Sequence, residues 1–171
     1  MPPSSYGLNA FKLVSKDGKG TFVRYLIEPV AGRQVLSDSD VASKSSSYLY
    51  DELAERLKNG PVEFKYIAQV AEEGDPTDDV TKHWPAERKK VELGTIKLDK
   101  LEAEPQNHKE QKQIIYDPIP RVDGIEPSDD PLLNSRAAVY LIGGKERRKA
   151  PEADAGGAST AGVDDAALKV A

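Results

Sequence analysis

The alternation of residues 62–70 constrains the fold more than any other feature of the sequence. Every second residue is apolar, and polar or charged residues stand at three of the four positions between them: the two sets are Val62, Phe64, Tyr66, Ala68, Val70 and Glu63, Lys65, Gln69. Because successive side chains of a β-strand point to opposite faces of a sheet, this pattern predicts a half-buried strand. A strand of this kind needs partner strands, so the chain should fold around a β-sheet.

Three other segments complete the predicted β-structure. Residues 10–16 and 21–28 are rich in β-branched and aromatic side chains and flank a turn that contains Asp-Gly, which predicts a β-hairpin. Residues 91–101 predict the next strand. Residues 72–90 are rich in charge, proline and glycine and predict a long irregular loop.

The sequence also predicts three helices. Residues 37–40 offer N-cap side chains for a short helix. Tyr50, Leu53, Ala54 and Leu57 recur at helical spacing and predict a second, which 59–61 should end. Residues 107–113 are polar and receive no assignment.

The last helix has marked ends. Asp130 is a suitable N-cap, Pro131 suits the first turn, and Gly143-Gly144 should end the helix, which predicts helical residues 131–142. Residues 149–171 contain mainly Ala, Gly, Asp and Lys with no apolar period, and predict a disordered tail.

Composition excludes several functions. The formal charge is −5 with mixed signs, so the chain has no electrostatic reason to bind nucleic acid or anionic lipid. It has no cysteine, which excludes disulfides and iron–sulfur sites, and two histidines, His83 and His108, are too few for a multi-histidine metal site. No apolar run approaches a membrane span, and no signal peptide is recognised. The expectation is a soluble protein, with the cytoplasm as the default compartment.

Arg136 and Tyr140 form the one pair that suggests chemistry. They stand four residues apart on the last predicted helix, so their side chains share a face. A guanidinium beside a phenol hydroxyl favours the phenolate, which is the form that binds a metal ion. Spacing alone favours the simpler alternative, in which Tyr140 packs in the core and Arg136 reaches solvent.

Several ordered motifs give a stronger indication. Residues 116–133 contain Tyr-Asp-Pro, Gly-Ile-Glu-Pro and Asp-Pro-Leu-Leu, and they lead into Arg136-x-x-x-Tyr140. Upstream stand Tyr6-Gly7 with Phe11, and Trp84-Pro85 followed by Glu92-Leu93-Gly94. This series resembles the haem catalase family from about Tyr6 to Arg148, and its wording is most similar to the short catalase-related peroxidases.

The resemblance implies an α+β fold, namely a partial antiparallel β-barrel of the catalase type with accessory helices, and a catalase-like domain at residues 6–148. It implies haem b as the cofactor, with Tyr140 as the proximal iron ligand and Arg136 hydrogen-bonded to it. Arg147 falls where the family places a basic residue near a haem propionate, although Lys145, Arg148 and Lys149 could serve as well. Gly144 departs from the larger catalases, and so does Asn9, which stands where they tend to have histidine; Asn9 is expected to be structural.

The resemblance also implies what is missing. The family's distal histidine and asparagine precede the Tyr-Gly motif, which begins here at Tyr6, so the chain looks truncated at its N-terminus. No catalytic residue is therefore assigned, and neither His83 nor His108 is a replacement. A tyrosinate ligand favours heterolysis of a bound peroxide, but the proton transfer needs a positioned base.

The preferred function is a haem-binding catalase-related peroxidase domain acting on hydrogen peroxide or organic hydroperoxides, with impaired activity in this form. A fatty-acid hydroperoxide converting enzyme, a pseudoenzyme or a non-enzymatic remnant remain alternatives. Half a barrel exposes strand edges, so self-association or pairing with the missing N-terminal half is expected.

Overall fold

The computed structural model describes residues 5–32, 35–102 and 106–151. Its strands are β1 (Ser5–Tyr6), β2 (Phe11–Val14), β3 (Gly20–Pro29), β4 (Val62–Val70), β5 (Lys90–Leu98) and β6 (Ile125–Pro127). Its helices are α1 (Asp38–Ala42), α2 (Tyr48–Lys58), α3 (Gln106–Gln113) and α4 (Pro131–Lys149).

All strand pairs are antiparallel and belong to one sheet in the order β5-β4-β3-β2-β6, with β1 pairing beside β3. Within the described residues β5 and β6 lie at opposite ends of this order and do not pair with each other, so the sheet is open. In the part of the chain that the structure describes, four helices accompany the sheet, which confirms the predicted α+β class. An open antiparallel sheet is consistent with part of a β-barrel.

The predicted alternation is realised in β4. Ala68 lies opposite Tyr25 of β3, and Ile67 lies opposite Leu26, so adjacent β4 residues contribute to opposite faces of the sheet. Ala68 and Ile67 are both buried, at 2% and 7% exposure. The central part of the sheet is therefore covered on both faces, which is more than the alternation alone predicted.

The other three predicted strands are present, whereas β1 and β6 were not predicted. The β2–β3 hairpin is confirmed, and its turn contains Gly18 at a φ of 81°, a left-handed conformation that favours glycine. The strand predicted for residues 91–101 is β5, which ends at Leu98. Every residue of β5 is exposed, in contrast to its neighbour β4.

The helices bring one correction. α1 has the predicted serine cap, with Ser37 and Asp40 forming a capping box, and α2 spans the predicted apolar face. The unassigned polar segment is α3. The prediction that Gly143-Gly144 ends the last helix is wrong, because α4 continues to Lys149.

The part of α4 beyond the two glycines is held against the segment before the helix: Lys112 Nζ donates to the carbonyl of Ala150 at 2.7 Å, and Arg147 Nη2 donates to the carbonyl of Ile114 at 2.6 Å. Gly144 is buried, and a Cβ there would lie 3.3 Å from Nη1 of Arg148 and 3.7 Å from Nη2 of Arg147. Glycine inside a helix costs roughly 1 kcal/mol relative to alanine, which the packing of a 19-residue helix can offset. Of the predicted tail, Lys149 ends α4, and residues 152–171 lie outside the described residues.

The core is small. Within the described ranges, its most buried apolar side chains are Leu133 of α4 at 0% exposure, Ala10 and Val23 at 1%, and Ala68 of β4 at 2%. Among the described residues, no helix has the length and apolar character that crossing a membrane requires.

Candidate functional site

The structure brings the two central residues of the predicted site together. Arg136 Nη2 donates a hydrogen bond to Tyr140 Oη at 3.1 Å, and the guanidinium carbon lies 5.3 Å from the centre of the Tyr140 ring. Both side chains are half-buried. Arg136 therefore turns along the helix towards the phenol, and the alternative in which it simply reaches solvent does not apply.

α4 begins in a way that fixes this pair relative to the sheet. Asp130 caps the helix, with Oδ1 accepting from Leu132 N at 2.8 Å. Its second oxygen, Oδ2, accepts from Asn9 Nδ2 at 3.1 Å. Asn9 lies between β1 and β2, so the helix cap is tied directly to the sheet.

Asn9 continues the connection to the site. Its Oδ1 accepts a hydrogen bond from Arg136 Nη1. Asn9 and Asp130 are 2% and 3% exposed. The side-chain amide of Asn9 has a partner at each end, Asp130 at Nδ2 and Arg136 at Oδ1. The result is a continuous series of hydrogen bonds from Asp130 through Asn9 and Arg136 to the phenol oxygen of Tyr140.

Tyr140 has small neighbours on its own helix. The residues three before, three after and four after it are Ala137, Gly143 and Gly144. Side chains at these spacings would otherwise lie beside the phenol ring. Val139 and Ile142, one residue before and two residues after Tyr140, are 63% and 61% exposed and lie on a different face of α4.

Arg147 has different partners from the other two predicted residues. Its Nη2 donates to the carbonyl of Ile114 at 2.6 Å, and its guanidinium carbon lies 4.9 Å from the centre of the Tyr116 ring. Seven residues separate it from Tyr140, about two helical turns. The structure thus places Arg147 against the segment before α4.

One arginine that is buried in the sheet was not identified from the sequence. Arg24 of β3 is 7% exposed, its guanidinium carbon lies 4.4 Å from the Trp84 ring centre, and it donates to the carbonyls of Lys82, Pro76 and Asp79. Burial lowers the pKa of Arg24, and the charge of nearby Asp130 opposes that change. Its polar position within an apolar strand was the only available signal.

The histidines behave as expected where they can be assessed. His83 is exposed in the loop before Trp84. The side chain of His108 lies outside the described residues. In the part of the chain that the structure describes, no group of three or more His, Cys, Asp or Glu residues is placed to hold a metal ion.

An open antiparallel sheet followed by a helix with a hydrogen-bonded Arg-x-x-x-Tyr pair defines the class, an α+β protein with a sheet of the catalase type. Residues 3–151 match the family model for catalase, and this chain belongs to the catalase family.

Individual relatives agree with this assignment. The chain is 38% identical over 151 residues to a catalase-related peroxidase of Mycolicibacterium paratuberculosis, covering 85% of this chain and 47% of that protein. It is 33% identical over 154 residues to a catalase-related peroxidase of Synechococcus elongatus, covering 86% and 45%. The chain therefore spans about half the length of these curated relatives. The predicted similarity to catalase-related peroxidases is confirmed.

Solved structures support the fold. A fungal catalase superposes with a TM-score of 0.72 at 21% identity, covering 84% of this chain and 30% of that one. Catalase A from Saccharomyces cerevisiae gives the same TM-score at 22% identity, covering 84% and 31%.

Proposed function

We propose that this chain forms the proximal side of a haem site in a catalase-related peroxidase, with Tyr140 as the iron ligand. The observation that carries the proposal is the hydrogen bond from Arg136 Nη2 to Tyr140 Oη at 3.1 Å. A phenol oxygen that accepts from a fixed cation is suited to carry negative charge and therefore to bind ferric iron. The proposed domain spans residues 6–148.

The surroundings of Tyr140 fit a haem group. The small residues Ala137, Gly143 and Gly144 leave room for a flat macrocycle on the face of α4 that carries Tyr140. Haem b would supply the iron centre at which peroxides are reduced. Arg147 is proposed to bind a propionate; its present partners are a ring and a carbonyl, weaker acceptors than a carboxylate.

The chain's own contribution is to hold the ligand. Arg136 donates a hydrogen bond to the phenol oxygen of Tyr140, and the cap at Asp130 fixes the start of the helix that carries both. The acid–base groups for moving a proton between peroxide oxygens are proposed to come from outside this chain, which spans about half the length of the catalase-related peroxidases it matches. By itself it should therefore turn over peroxide slowly.

The source of those groups is proposed to be a polypeptide that completes the barrel. β5 is the open end of the sheet, and its apolar residues Val91, Ile96 and Leu98 are 37%, 37% and 39% exposed. An exposed apolar edge strand pairs readily with another strand. The chain should therefore self-associate when alone and form a soluble complex with the N-terminal half of a short catalase-related peroxidase.

Haem reconstitution tests the ligand assignment. The parent chain should acquire the absorbance spectrum of tyrosinate-ligated ferric haem, and Tyr140→Phe should lose it and bind haem about 100-fold more weakly. Tyr50→Phe is the matched control, because Tyr50 is 78% exposed on α2. Identical spectra for the parent and Tyr140→Phe would show that another group binds the iron.

Co-expression tests the division of labour. The complex with the N-terminal half of a related peroxidase should be monodisperse and should reduce peroxide at least 10²-fold faster than the reconstituted chain alone, the usual contribution of a positioned acid–base group. Equal rates with and without the partner would contradict the proposal that proton transfer depends on residues outside this chain.

A further inference from the structure

We infer that Tyr25 and Tyr66 form an oxidative modification site, at which loss of two electrons joins their rings as dityrosine and links β3 to β4 covalently. The oxidant is a peroxide that is reduced at the proposed haem site, so the inference rests on the proposed function for its natural oxidant. From the sequence, Tyr66 was assigned only to the apolar face of a strand, and Tyr25 received no role.

The two rings are in contact on one face of the sheet. Tyr25 lies opposite Ala68 and Tyr66 lies opposite Ile27, so the two tyrosines are diagonal neighbours across β3 and β4. Their ring centres are 5.0 Å apart, with 23° between the ring planes. Burial and the neighbouring Tyr25 hydroxyl raise the pKa of Tyr66 to about 12, so the hydroxyls lie at the same end of the stacked pair. The ortho carbons, which couple in dityrosine, therefore lie beside each other.

The surroundings favour this pair over the other oxidisable rings. The chain has no cysteine, one methionine and one tryptophan, so its aromatic side chains are the main candidates for one-electron oxidation. Three of them lie against a guanidinium, with distances to the ring centre of 4.4, 5.3 and 4.9 Å: Trp84 beside Arg24, Tyr140 beside Arg136 and Tyr116 beside Arg147. A neighbouring positive charge opposes the loss of an electron from a ring. Tyr25 instead contacts the rings of Tyr66 and Phe11, and phenylalanine resists oxidation.

The reaction balances with a single peroxide. Each phenol gives up one electron and its hydroxyl proton, and the two phenoxyl rings form a carbon–carbon bond between ortho positions. The proton on each of these carbons then moves to the adjacent oxygen, which restores both phenols. The peroxide accepts the two electrons and two protons, and its O–O bond breaks to give two molecules of water, or water and an alcohol from an organic hydroperoxide. The chain therefore loses two hydrogen atoms and gains one carbon–carbon bond.

The pair lies on a strand that borders the candidate site. Gly7 N donates to the carbonyl of Tyr25 at 2.7 Å, so this part of β3 is tied to the segment between β1 and β2. Two residues further along that segment, Asn9 accepts from Arg136. A link between Tyr25 and Tyr66 would also close a loop over residues 26–65, which contains α1 and α2, and would restrict the unfolded chain as a disulfide does.

Photo-oxidation of the full-length chain without haem tests the site itself. A light-activated ruthenium tris-bipyridyl complex with persulfate removes single electrons without peroxide. In dilute protein the monomer should gain dityrosine fluorescence and lose two hydrogen atoms, and trypsin should release residues 25–33 joined to residues 66–82. Tyr25→Phe and Tyr66→Phe should each lose this linked pair, whereas Tyr50→Phe, at a tyrosine 78% exposed, should keep it. A folded parent monomer that links elsewhere or not at all would overturn the inference.

A variant of unchanged composition separates contact between the rings from tyrosine content. Phe64→Tyr combined with Tyr66→Phe keeps seven tyrosines but moves one of them to a position opposite Pro29, further along the same face. Residues 25–33 and 59–65 should then remain unlinked. A link as abundant as in the parent would show that coupling does not depend on the stacked pair. Circular dichroism before oxidation reports folding, and the peptide map of the parent decides alone if a variant does not fold.

Peroxide added to the haem-reconstituted chain separates this inference from the proposed function. The same linked peptides are expected, and Tyr66→Phe should lose them. Linkage by photo-oxidation in a chain that binds no haem would retain the modification site and reject the proposed function. Haem binding through Tyr140 without linkage by either oxidant would do the reverse. Haem binding with linkage by photo-oxidation alone would overturn peroxide as the natural oxidant.

Discussion

Two arginines of this chain use the same chemical group in opposite ways. The guanidiniums of Arg24 and Arg136 each lie beside an aromatic ring, 4.4 Å from the centre of Trp84 and 5.3 Å from that of Tyr140. The hydrogen bonds of Arg24 end on three backbone carbonyls of one loop, whereas those of Arg136 end on two side chains, Asn9 and Tyr140. Arg24 is buried and Arg136 half-buried, but the larger difference lies in their hydrogen-bond partners.

The difference has a physical meaning. Backbone carbonyls cannot change charge, so the hydrogen bonds of Arg24 can only hold the loop in place. A phenol oxygen can lose its proton and bind a metal ion, so the hydrogen bond from Arg136 can support chemistry at that atom. Arg24 should therefore control stability, and Arg136 should control ligand binding.

Substitution of Arg24 should give the largest effect on folding. Arg24→Met keeps much of the apolar stem but removes the donors to Lys82, Pro76 and Asp79, and we expect a loss of about 3–5 kcal/mol in the free energy of unfolding. Urea unfolding followed by circular dichroism measures it. Arg121→Met is the control, since the Arg121 side chain is 73% exposed and should contribute less than about 1 kcal/mol. A similar small loss for Arg24→Met would show that the loop is held by other contacts.

Arg136→Lys should affect binding more than folding. Lysine keeps the charge but has no planar fork, so one ammonium group cannot hold the geometry between Asn9 and Tyr140. We expect haem affinity to fall roughly 10- to 100-fold and the free energy of unfolding to fall by less than about 1.5 kcal/mol. Equilibrium haem titration and urea unfolding give the two numbers. The comparison fails if stability falls as far as in Arg24→Met while affinity is unchanged.

The two sites also differ in how far the sequence could predict them. Arg136 and Tyr140 are four residues apart, so local helical geometry was enough to pair them. Arg24 and Trp84 are 60 positions apart, and Asn9 and Asp130 are 121 apart; neither pair has a local signal. The alternation of β4 predicted the strand but not which of its neighbours would be covered, as Ala68 at 2% and its β5 partner Val91 at 37% exposure demonstrate.

The predicted end of α4 was wrong for a related reason. Two consecutive glycines are a good local signal for a helix end, but Lys112 donates to the carbonyl of Ala150 and Arg147 to that of Ile114, which holds the last turns of α4 against the preceding segment. Contacts between residues 38 and 33 positions apart thus outweighed local propensity.

Lowering the pH should destabilise the loop that Arg24 holds, and the free energy of unfolding should fall by less than in Arg24→Met. Arg88 donates to both oxygens of Asp75 at 2.9 and 3.0 Å, and these hydrogen bonds hold the pKa of Asp75 below its ordinary value. The stabilisation is fully present above the unfolded pKa of about 3.9 and is lost as pH falls through the lower folded pKa. Asp75→Asn should lower stability at pH 7 by less than about 2 kcal/mol and should flatten its pH dependence below pH ~4.

Unfolding free energies measured between pH 2.5 and pH 7 test this expectation. Asp129→Asn is a suitable control, because Asp129 is exposed and lies just before α4, the helix that carries Arg136. An unchanged acid limb in Asp75→Asn would assign the acid sensitivity to different carboxylates.

The smallest expected effect concerns a tyrosine whose ring stacks on another tyrosine. Tyr66 stacks on Tyr25 with ring centres 5.0 Å apart, and burial, together with the neighbouring Tyr25 hydroxyl, raises the pKa of Tyr66 to about 12. Its neutral form is therefore favoured by folding, so this contribution is present below about pH 10 and is lost as pH rises towards the folded pKa. Tyr66→Phe should cost only about 1 kcal/mol at pH 7.

Absorbance at 295 nm, recorded from pH 9 to pH 13 beside circular dichroism, tests the Tyr66 prediction. Tyr66 should ionise late, and Tyr66→Phe should remove that late step, while Tyr50→Phe, a change at an exposed tyrosine of α2, should leave it in place. If the late step survives in Tyr66→Phe while the protein remains folded, burial on the sheet does not hold this phenol neutral. A confirmed late step would mean that stacking on Tyr25 and burial disfavour the phenolate of Tyr66, the opposite of what a donating guanidinium does for a phenol oxygen. Tyrosine would then have a structural role in β4 and a ligand role in the candidate site on α4, and only the neighbouring residues would decide between the two.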